Sequence, residues 1–247
     1  MNHSVRHLLS TFFLGPLLLI QGMWVRKTIP DLPEPEGSRS GIAGQGEKLR
    51  LLILGDSAAA GVGVDHQDQA LTGLLVEKLS ERYCVEWRLE AASGATTADT
   101  LERLACLDAG SYEVVITSLG VNDVLSSIGI GKWLQQQKQL RTMLQDSFGV
   151  ARLIVSGLPP MGLFPALPQP LRWYLGRRAE QLDAALEQDL QGEPGVEYLD
   201  LEFVNDMSLM AEDGFHPGPL VYREWADNSA LLILNSRKGA GYIVGKR

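Results

Sequence analysis

The stretch from Leu49 to Gly63, LRLLILGDSAAAGVG, is the feature that most constrains the fold of this chain. It starts as an unbroken apolar run and then changes to small residues, beginning with Gly55-Asp56-Ser57. An apolar run that ends in a small-residue turn is typical of a strand buried on both faces of a parallel sheet. Open α/β sheets bind ligands at the carboxyl ends of their strands, so Ser57 is a candidate nucleophile. The alternative role of Ser57 is the N-cap of the following helix.

Strand and helix patterns alternate from this stretch to the end of the chain. Strands are predicted at 49–54, 84–90, 113–119, 152–156 and 196–199, and helices at 68–82, 98–107, 132–147, 171–190 and 219–235. This alternation predicts a five-stranded parallel sheet with helices on both faces, joined by right-handed crossovers. We therefore expect one α/β domain over residues 48–237, followed by a short tail at 238–247.

Two segments of different composition precede this domain. Residues 8–25, within an N-terminal segment of residues 1–27, are strongly apolar and are followed by Arg26-Lys27. Three interpretations remain open: an uncleaved membrane anchor, a signal peptide, and an apolar helix that packs on the protein or lies at a membrane surface. Membrane association through residues 8–25, with or without export, is favoured over a cytoplasmic location. Residues 28–47 contain three prolines and four glycines and are predicted to be a linker.

Composition excludes some classes of partner. The formal net charge is -8 and no basic cluster stands out, so we expect no nucleic-acid surface. The two cysteines, Cys84 and Cys106, do not form a CxxC motif or a Cys/His cluster at metal spacing. Two buried thiols and one disulfide both remain open for them. The sequence thus indicates neither a metal site nor a cofactor.

Residues suited to acyl transfer follow four of the predicted strands. A serine that attacks a carbonyl group needs a base, a residue that orients the base, and donors for the oxyanion. Asp213 and His216 lie three residues apart, so Asp213 can hold the imidazole Nδ1–H while Nε2 faces Ser57. Gly94 has no Cβ and can bring its N–H close to a substrate oxygen, and Asn122 offers a neutral amide donor. Because the carboxyl ends of parallel strands share one edge of the sheet, we expect these residues to meet.

Each of these residues also has an ordinary structural explanation. Gly94 is compatible with a simple turn, Asn122-Asp123 with a capping pair, and His216 with a loop histidine before a proline. His66 is a rival histidine close to the Ser57 turn, but it belongs to no matching motif and suits a helix start. The combination of all four segments in this order is what favours the catalytic interpretation.

Taken together, the four segments resemble the sequence blocks of the SGNH hydrolase superfamily, also called GDSL-type esterases and lipases. The blocks are Gly55-Asp56-Ser57, Gly94, Gly120-x-Asn122-Asp123 and Asp213-x-x-His216, and the resemblance extends over about residues 49–235. It implies a flavodoxin-like three-layer α/β/α sandwich and a metal-free Ser-His-Asp hydrolase. Ala58 stands where the motif name has Leu, and the Asn that relatives often carry shortly before Gly94 is absent.

The resemblance also implies a role for each matching residue. Ser57 would be the nucleophile, His216 the base and Asp213 the residue that orients the base. The N–H groups of Ser57 and Gly94 and the side chain of Asn122 would form the oxyanion hole. The implied activity is hydrolysis of a small-molecule carboxylic ester or thioester through an acyl-enzyme.

The substrate class is less constrained by the sequence. Residues 158–170, LPPMGLFPALPQP, follow the fourth strand and are apolar and proline-rich. They suit an acyl-chain groove or a membrane contact, and nearly as well a rigid packed loop. Together with the apolar residues 8–25, they favour lipid-like or small acyl esters as the substrate. Two alternatives remain: a carbohydrate O-acetyl esterase of the same fold, and a non-catalytic flavodoxin-like binding module. Against the binding module, the 55–63 turn lacks the Lys-Ser/Thr of a P-loop and a full GxGxxG.

Overall fold

A computed structural model of the chain describes residues 3–107, 110–201 and 206–235. These residues form one six-stranded sheet with the strand order β1-β3-β2-β4-β5-β6. The strands are β1 (Ser40–Ala43), β2 (Glu47–Gly55), β3 (Tyr83–Ala91), β4 (Val114–Ser118), β5 (Arg152–Ser156) and β6 (Val196–Leu199). Strands β2 to β6 are parallel, as predicted, and β1 pairs antiparallel with β3 at one edge.

The sixth strand corrects the predicted count of five. Strand β1 lies inside the segment 28–47 that the sequence indicated as a linker. Its four residues, SGIA, have no strong apolar alternation, so local sequence does not identify it. Pairing defines it instead: Gly41 lies opposite Trp87, and Leu89 N–H donates to the Arg39 carbonyl oxygen at 2.7 Å.

Eight α-helices are formed by the described residues. They are α1 (His3–Thr28), α2 (Ser57–Ala60), α3 (Leu71–Ser80), α4 (Thr97–Ala105), α5 (Val121–Leu125), α6 (Ile130–Phe148), α7 (Leu171–Leu190) and α8 (Pro219–Asn235). The bounds of α7 and α8 are those predicted, and α3, α4 and α6 differ from prediction by a few residues at their ends. Helices α2 and α5 were not predicted because four or five residues are too few to show helical periodicity.

Alternate side chains of the central strand β2 enter two separate cores. Leu51 and Ile53 pack with α3 and α8, whereas Leu52 and Leu54 pack with α4, α6 and α7. All four side chains are at most 1% exposed, and burial of each stabilises the fold by roughly 1.5–3 kcal/mol. The result is a three-layer α/β/α sandwich, which confirms the predicted fold class.

Helix α1 packs on the domain through one side. Leu18 is buried against the core that contains α7, and Gln21 joins α1 to the start of α7. Its Nε2 donates to the Gln169 carbonyl oxygen at 2.7 Å, and its Oε1 accepts from the Leu171 N–H at 3.0 Å. Among the described residues, no helix has both the length and the apolar character that crossing a membrane requires.

Both cysteines are free thiols. Cys84 lies in β3 and is half-buried, and Cys106 directly follows α4 and is exposed. The disulfide alternative is therefore not observed. The alternative of two buried thiols is wrong for Cys106, because that residue occupies the exposed C-cap of an amphipathic helix.

Candidate active site

Ser57 is the first residue of α2, and one residue, Asp56, separates it from the end of the central strand β2. The N-cap is Asp56, whose Oδ1 accepts the Ala58 N–H at 3.1 Å, so the N-cap alternative for Ser57 is wrong. Gly55 permits this tight turn, since a Cβ there would lie 2.4 Å from the Cβ of Ala59. The turn thus aims Ser57 out of the sheet edge at the start of a short helix.

The structure brings Ser57, His216 and Asp213 into one hydrogen-bonded chain. The Nε2 of His216 lies 2.9 Å from the Oγ of Ser57, although the two residues are 159 positions apart in the chain. The Nδ1 of His216 lies 2.5 Å from Oδ2 of Asp213. Asp213 is fully buried at its side chain, whereas the His216 side chain is 19% exposed. This order of atoms is what a general-base mechanism for a serine requires.

The loop that carries Asp213 also fixes its ionisation. Oδ1 of Asp213 accepts the backbone N–H groups of Phe215 and His216, both at 2.9 Å. Burial opposes ionisation of Asp213, but the hydrogen bonds from His216 and Phe215 outweigh it and lower its pKa below the ordinary value. Asp213 is therefore a carboxylate at neutral pH, which holds the proton of His216 on Nδ1 and leaves Nε2 as the acceptor for Ser57.

Two backbone N–H groups that the sequence predicts as oxyanion donors are unpaired at this end of the sheet, as far as the described residues go. Neither the Ser57 N–H nor the Gly94 N–H donates to another described residue. Gly94 lies in a turn closed by the Ala95 N–H and the Ala92 carbonyl oxygen at 3.1 Å. Its φ of +79° favours glycine, and a Cβ there would point into open space.

The side chain of Asn122 lies between the Ser57 turn and the Gly94 turn. Its Nδ2 donates to the Ala95 carbonyl oxygen at 3.0 Å and lies 3.5 Å from Oδ2 of Asp56. Asn122 belongs to the short helix α5, which begins after Gly120 at a φ of +139°. The predicted oxyanion donors are thus carried by neighbouring segments of the sheet edge.

Sequence reasoning missed a buried network behind Asn122. Asp123 is 1% exposed, and its Oδ2 accepts the Thr97 N–H at 3.1 Å and the Thr97 hydroxyl at 2.9 Å. The Thr97 Oγ1 in turn accepts from Nε1 of Trp133 and Nε2 of Gln137. Burial raises the pKa of Asp123, and the Thr97 bonds oppose that rise. The capping-pair interpretation of Asn122-Asp123 gave no signal for this network, because Trp133 and Gln137 are remote in sequence.

Asp56 is a second buried carboxyl group beside the triad. Burial raises its pKa to about 7, and the Ala58 N–H opposes the rise. The charge of His216 lowers this pKa and that of Asp123 raises it. The Gly55-Asp56-Ser57 segment therefore contains a carboxyl group whose pKa lies well above its ordinary value of 3.8.

His66 does not belong to the site. It is the N-cap of the 3-10 helix Gln67–Gln69, and its Nδ1 accepts the Asp68 N–H. Its side chain is half exposed. The structure therefore agrees with the interpretation of His66 as a helix-start residue.

An apolar cleft opens beside Ser57 and His216. Its free space, mouth included, is about 600 Å³. Its apolar side chains come from the ends of the strands, the 158–170 segment, the loop that carries Asp213, and α8. They include Leu158, Phe164, Met210, Phe215 and Trp225. Among the described residues, no group of three or more His, Cys, Asp or Glu side chains is arranged to hold a metal ion.

The 158–170 segment is both a packed loop and part of a groove, the two interpretations that the sequence left open. Leu158 and Phe164 line the cleft, and both are also buried against the core. The Leu158 N–H donates to Oδ1 of Asp183 at 2.7 Å, and the Tyr198 hydroxyl donates to the same carboxylate. The segment is thus a packed loop whose inner side forms one wall of the cleft.

Comparisons with known proteins agree with this arrangement. The sequence profile of the GDSL-like lipase/acylhydrolase family matches residues 53–224. A GDSL-like esterase of Mycobacterium tuberculosis is 28% identical over 199 residues, which cover 76% of this chain and 62% of that protein. The chain therefore spans less than two thirds of that relative.

Solved structures share the fold at lower sequence identity. The psychrotrophic esterase EstA from a Pseudoalteromonas species, in a form inhibited by monoethylphosphonate, superposes with a TM-score of 0.61 at 21% identity. That likeness covers 77% of this chain and 99% of EstA. The acetylxylan esterase Axe2 from Geobacillus stearothermophilus gives a TM-score of 0.57 at 17% identity, covering 77% of this chain and 95% of Axe2.

Proposed function

The chain belongs to the GDSL-like lipase/acylhydrolase family, and from this premise we propose that it is a serine hydrolase of carboxylic esters. The observation that carries the proposal is the 2.9 Å contact between Nε2 of His216 and Oγ of Ser57, with Asp213 behind the imidazole. The free N–H groups of Ser57 and Gly94 support the same reaction, since a tetrahedral intermediate needs donors for its oxyanion.

Acylation begins with removal of the Ser57 hydroxyl proton by Nε2 of His216. The Ser57 oxygen attacks the ester or thioester carbonyl carbon, and negative charge develops on the carbonyl oxygen. The N–H groups of Ser57 and Gly94 and the Asn122 amide stabilise this charge. Collapse of the intermediate expels the alcohol or thiol, which takes the proton from His216.

Deacylation repeats these steps with water as the nucleophile. His216 takes a proton from water, the hydroxide attacks the acyl-enzyme carbonyl, and Ser57 leaves with the proton returned from His216. Asp213 stabilises the imidazolium that forms in each half-reaction and keeps the ring oriented. The products are the carboxylic acid and the regenerated enzyme.

The apolar lining of the cleft supports the proposal that the acyl group is the part of the substrate that becomes buried. Its walls are dominated by apolar side chains such as Leu158, Phe164 and Met210, and such walls bind hydrocarbon without leaving a polar group unpaired. We therefore assign lipid-like or small acyl esters as the substrate class. A carbohydrate O-acetyl ester would place only an acetyl group in this cleft.

The outer face of α1 supports an additional proposal, that α1 rests on the surface of an anionic membrane. Five large apolar side chains on this face are 43–71% exposed: Leu17, Leu19, Ile20, Met23 and Trp24. An exposed apolar patch of this kind marks an interaction surface. The adjacent Arg26 and Lys27 are also exposed and complement anionic headgroups.

Vesicle sedimentation tests this second proposal. We expect the full chain to sediment with vesicles of phosphatidylcholine and phosphatidylglycerol, and the variant L19E/M23E to remain in solution. The variant Q135E/Q139E adds the same charge to exposed positions of α6 and is the control. Equal sedimentation of the two variants would rule out the outer face of α1 as the membrane-binding surface.

The hydrolase proposal is tested by the rate of hydrolysis of p-nitrophenyl esters from acetate to palmitate, with the full chain and its Ser57→Ala variant. We expect hydrolysis by the wild type and none by the variant, and labelling of Ser57 by an alkylphosphonate. The acyl length of the ester with the highest kcat/KM measures how long an acyl group the cleft holds. Activity that is indifferent to Ser57→Ala would reject the mechanism, and activity on acetate alone would favour the carbohydrate esterase.

A further inference from the structure

The segment before β1 reaches the Gly94 turn through one carboxylate. We call residues 30–39 the N-terminal strap; they lie outside the region 53–224 that matches the family profile. Oε1 of Glu34, in this strap, accepts both the Ser93 N–H and the Ser93 hydroxyl, each at 2.9 Å. Ser93 is the residue directly before Gly94, so the strap holds the residue whose ψ angle sets the direction of the Gly94 N–H.

A second residue of the strap holds Glu34 in place. Oε2 of Glu34 accepts from an Arg39 guanidinium N–H at 2.7 Å, and another Arg39 N–H donates to the Ala91 carbonyl oxygen. Burial opposes ionisation of Glu34, but the bonds from Ser93 and the charge of Arg39 outweigh it and lower its pKa. The group that accepts from Ser93 is therefore an ionised carboxylate, which makes stronger hydrogen bonds than a neutral acceptor.

The strap is itself anchored to the protein on the far side of Glu34. The Glu36 N–H donates to the Asp65 carbonyl oxygen at 3.1 Å, and the Gln67 N–H donates to the Glu36 carbonyl oxygen at 2.8 Å. Pro35 is buried against Gly61, where a Cβ would lie 2.8 Å from its Cγ. Glu34 thus projects from a backbone that is fixed before it meets Ser93.

The Gly94 turn needs such support because, among the described residues, the Ser93 N–H has no acceptor besides Glu34 and the Gly94 N–H has none. Ala92 is held by the Gly55 carbonyl oxygen, and Ala95 is held by Ala92 and Asn122. Between them, the Ser93–Gly94 peptide leads into a glycine at a φ of +79°, the residue type with the widest backbone freedom. The contacts from Glu34 restrain Ser93, the residue on which the direction of the Gly94 N–H depends.

We propose that Glu34 is a positioning residue for the oxyanion hole, which acts by holding Ser93 so that the Gly94 N–H faces the developing oxyanion. This inference rests on the proposed function, in which Gly94 is an oxyanion donor. It assigns a catalytic contribution to a segment upstream of the family-matched region. The strap supplies the acceptor for Ser93, because the turn after β3 has no acceptor of its own for that residue among the described residues.

Steady-state kinetics of full-length variants on a p-nitrophenyl ester test the proposal. For Glu34→Ala we expect kcat to fall about 10-fold with KM changed by less than about twofold, because misdirecting a donor costs less than removing it, roughly 10²–10³. Glu34→Gln retains an oxygen acceptor for both Ser93 donors and should keep kcat within about threefold of the wild type. Glu36→Ala is the matched control, since the Glu36 side chain forms no hydrogen bond or ion pair to a described residue.

A double-mutant cycle separates this role from general stabilisation. If Glu34 acts through Ser93, the variant E34A/S93A will be no slower than E34A. Equal kcat values for E34A and E36A would overturn the inference, and so would an effect of E34A on KM alone. In either case, activity that depends on Ser57 would still support the hydrolase proposal. Absence of Ser57-dependent activity in the wild type would instead reject the proposed function, and the inference with it.

Discussion

The Nδ2 of Asn122 lies 3.0 Å from the carbonyl oxygen of Ala95, so one hydrogen of this amide is committed to the turn that carries Gly94. A side-chain amide has two N–H donors, and the second lies 3.5 Å from Oδ2 of Asp56, a long contact that a substrate oxygen would replace in the proposed mechanism. The shorter contact with Ala95 orients the amide and joins α5 to the Gly94 turn. A donor fixed before the substrate arrives needs no reorganisation as charge develops.

Replacement of Asn122 by alanine should lower kcat by roughly 10²–10³, because the oxyanion loses one donor. KM should change little, since the ground-state carbonyl oxygen carries less charge than the oxyanion. The measurement is the steady-state hydrolysis of a p-nitrophenyl ester. Asn228→Ala is the control for an Asn-to-Ala change, since Asn228 is a half-buried residue of α8 whose side chain donates to the Glu224 carbonyl oxygen. Turnover like that of the wild type would remove Asn122 from the mechanism.

The two candidate histidines should behave oppositely. His216→Ala removes the base and should reduce kcat to near the background of the Ser57→Ala variant, because both residues act as one unit. His66→Ala removes only the N-cap of a short 3-10 helix and should leave kcat within about twofold of the wild type. Parallel assays of both variants with an alkylphosphonate label report the reactivity of Ser57. Comparable losses in the two variants would contradict the assignment of the base.

Asp213→Asn should reduce kcat by roughly 10³–10⁴ with little change in the fold, since an amide at this position no longer holds the proton on Nδ1 of His216. Asn retains an oxygen that can accept the N–H groups of Phe215 and His216, so the loop is expected to keep its form. The check is kcat together with the thermal unfolding midpoint. A large fall in that midpoint would show that the loss of activity reflects misfolding.

Asp56 and Asp213, whose carboxyl groups both interact with the charge of His216, should give opposite pH dependences of stability. The pKa of Asp56 is raised from 3.8 to about 7, so the folded state binds its proton more tightly than the unfolded state. Its contribution to the free energy of unfolding is present below about pH 4 and is lost as pH rises through 7. The pKa of Asp213 is lowered, so its contribution is present above about pH 4 and is lost as pH falls further.

Urea unfolding between pH 5 and 8 therefore tests the ionisation of Asp56. We expect the difference in unfolding free energy between Asp56→Asn and the wild type to shift in favour of the variant as pH rises from 5 to 8. Asp99→Asn is the control, because the Thr96 hydrogen bonds lower the pKa of Asp99, so this carboxyl group is ionised in both states and the difference from the wild type should stay constant over the same interval. A constant difference for Asp56→Asn would mean that this carboxyl group is already ionised at pH 5.

A larger side chain in the cleft should change the preference for acyl length. Met210 is half-buried and lines the cleft, so Met210→Trp should lower kcat/KM for long p-nitrophenyl esters about 10-fold or more and spare the acetate. Leu163→Trp is the control, since Leu163 is 45% exposed and lies outside the cleft. A uniform loss across all chain lengths would indicate that the acyl group lies elsewhere.

Much of the fold was predictable because its central strands are buried on both faces. Such strands appear as continuous apolar runs, and β5 has the bounds that the sequence predicted. Strand β6 also has the predicted bounds, although it is a partly buried strand at the edge of the sheet. The long helices α7 and α8 were equally clear, since 17 to 20 residues show their periodicity well. Strand β1 was missed because four residues at an edge show no burial pattern until β3 is beside them.

The sequence by itself determined which residue types stand at the ends of the strands, and Ser57, Gly94, Asn122, Asp213 and His216 all lie at the predicted edge of the sheet. Tertiary structure alone decided the contacts between them and around them. The Glu34–Ser93 contact joins residues 59 apart, and the raised pKa of Asp56 results from burial in a core built by several segments. Local periodicity reports whether a residue is buried, whereas pairing and ionisation depend on which distant residues share its surroundings.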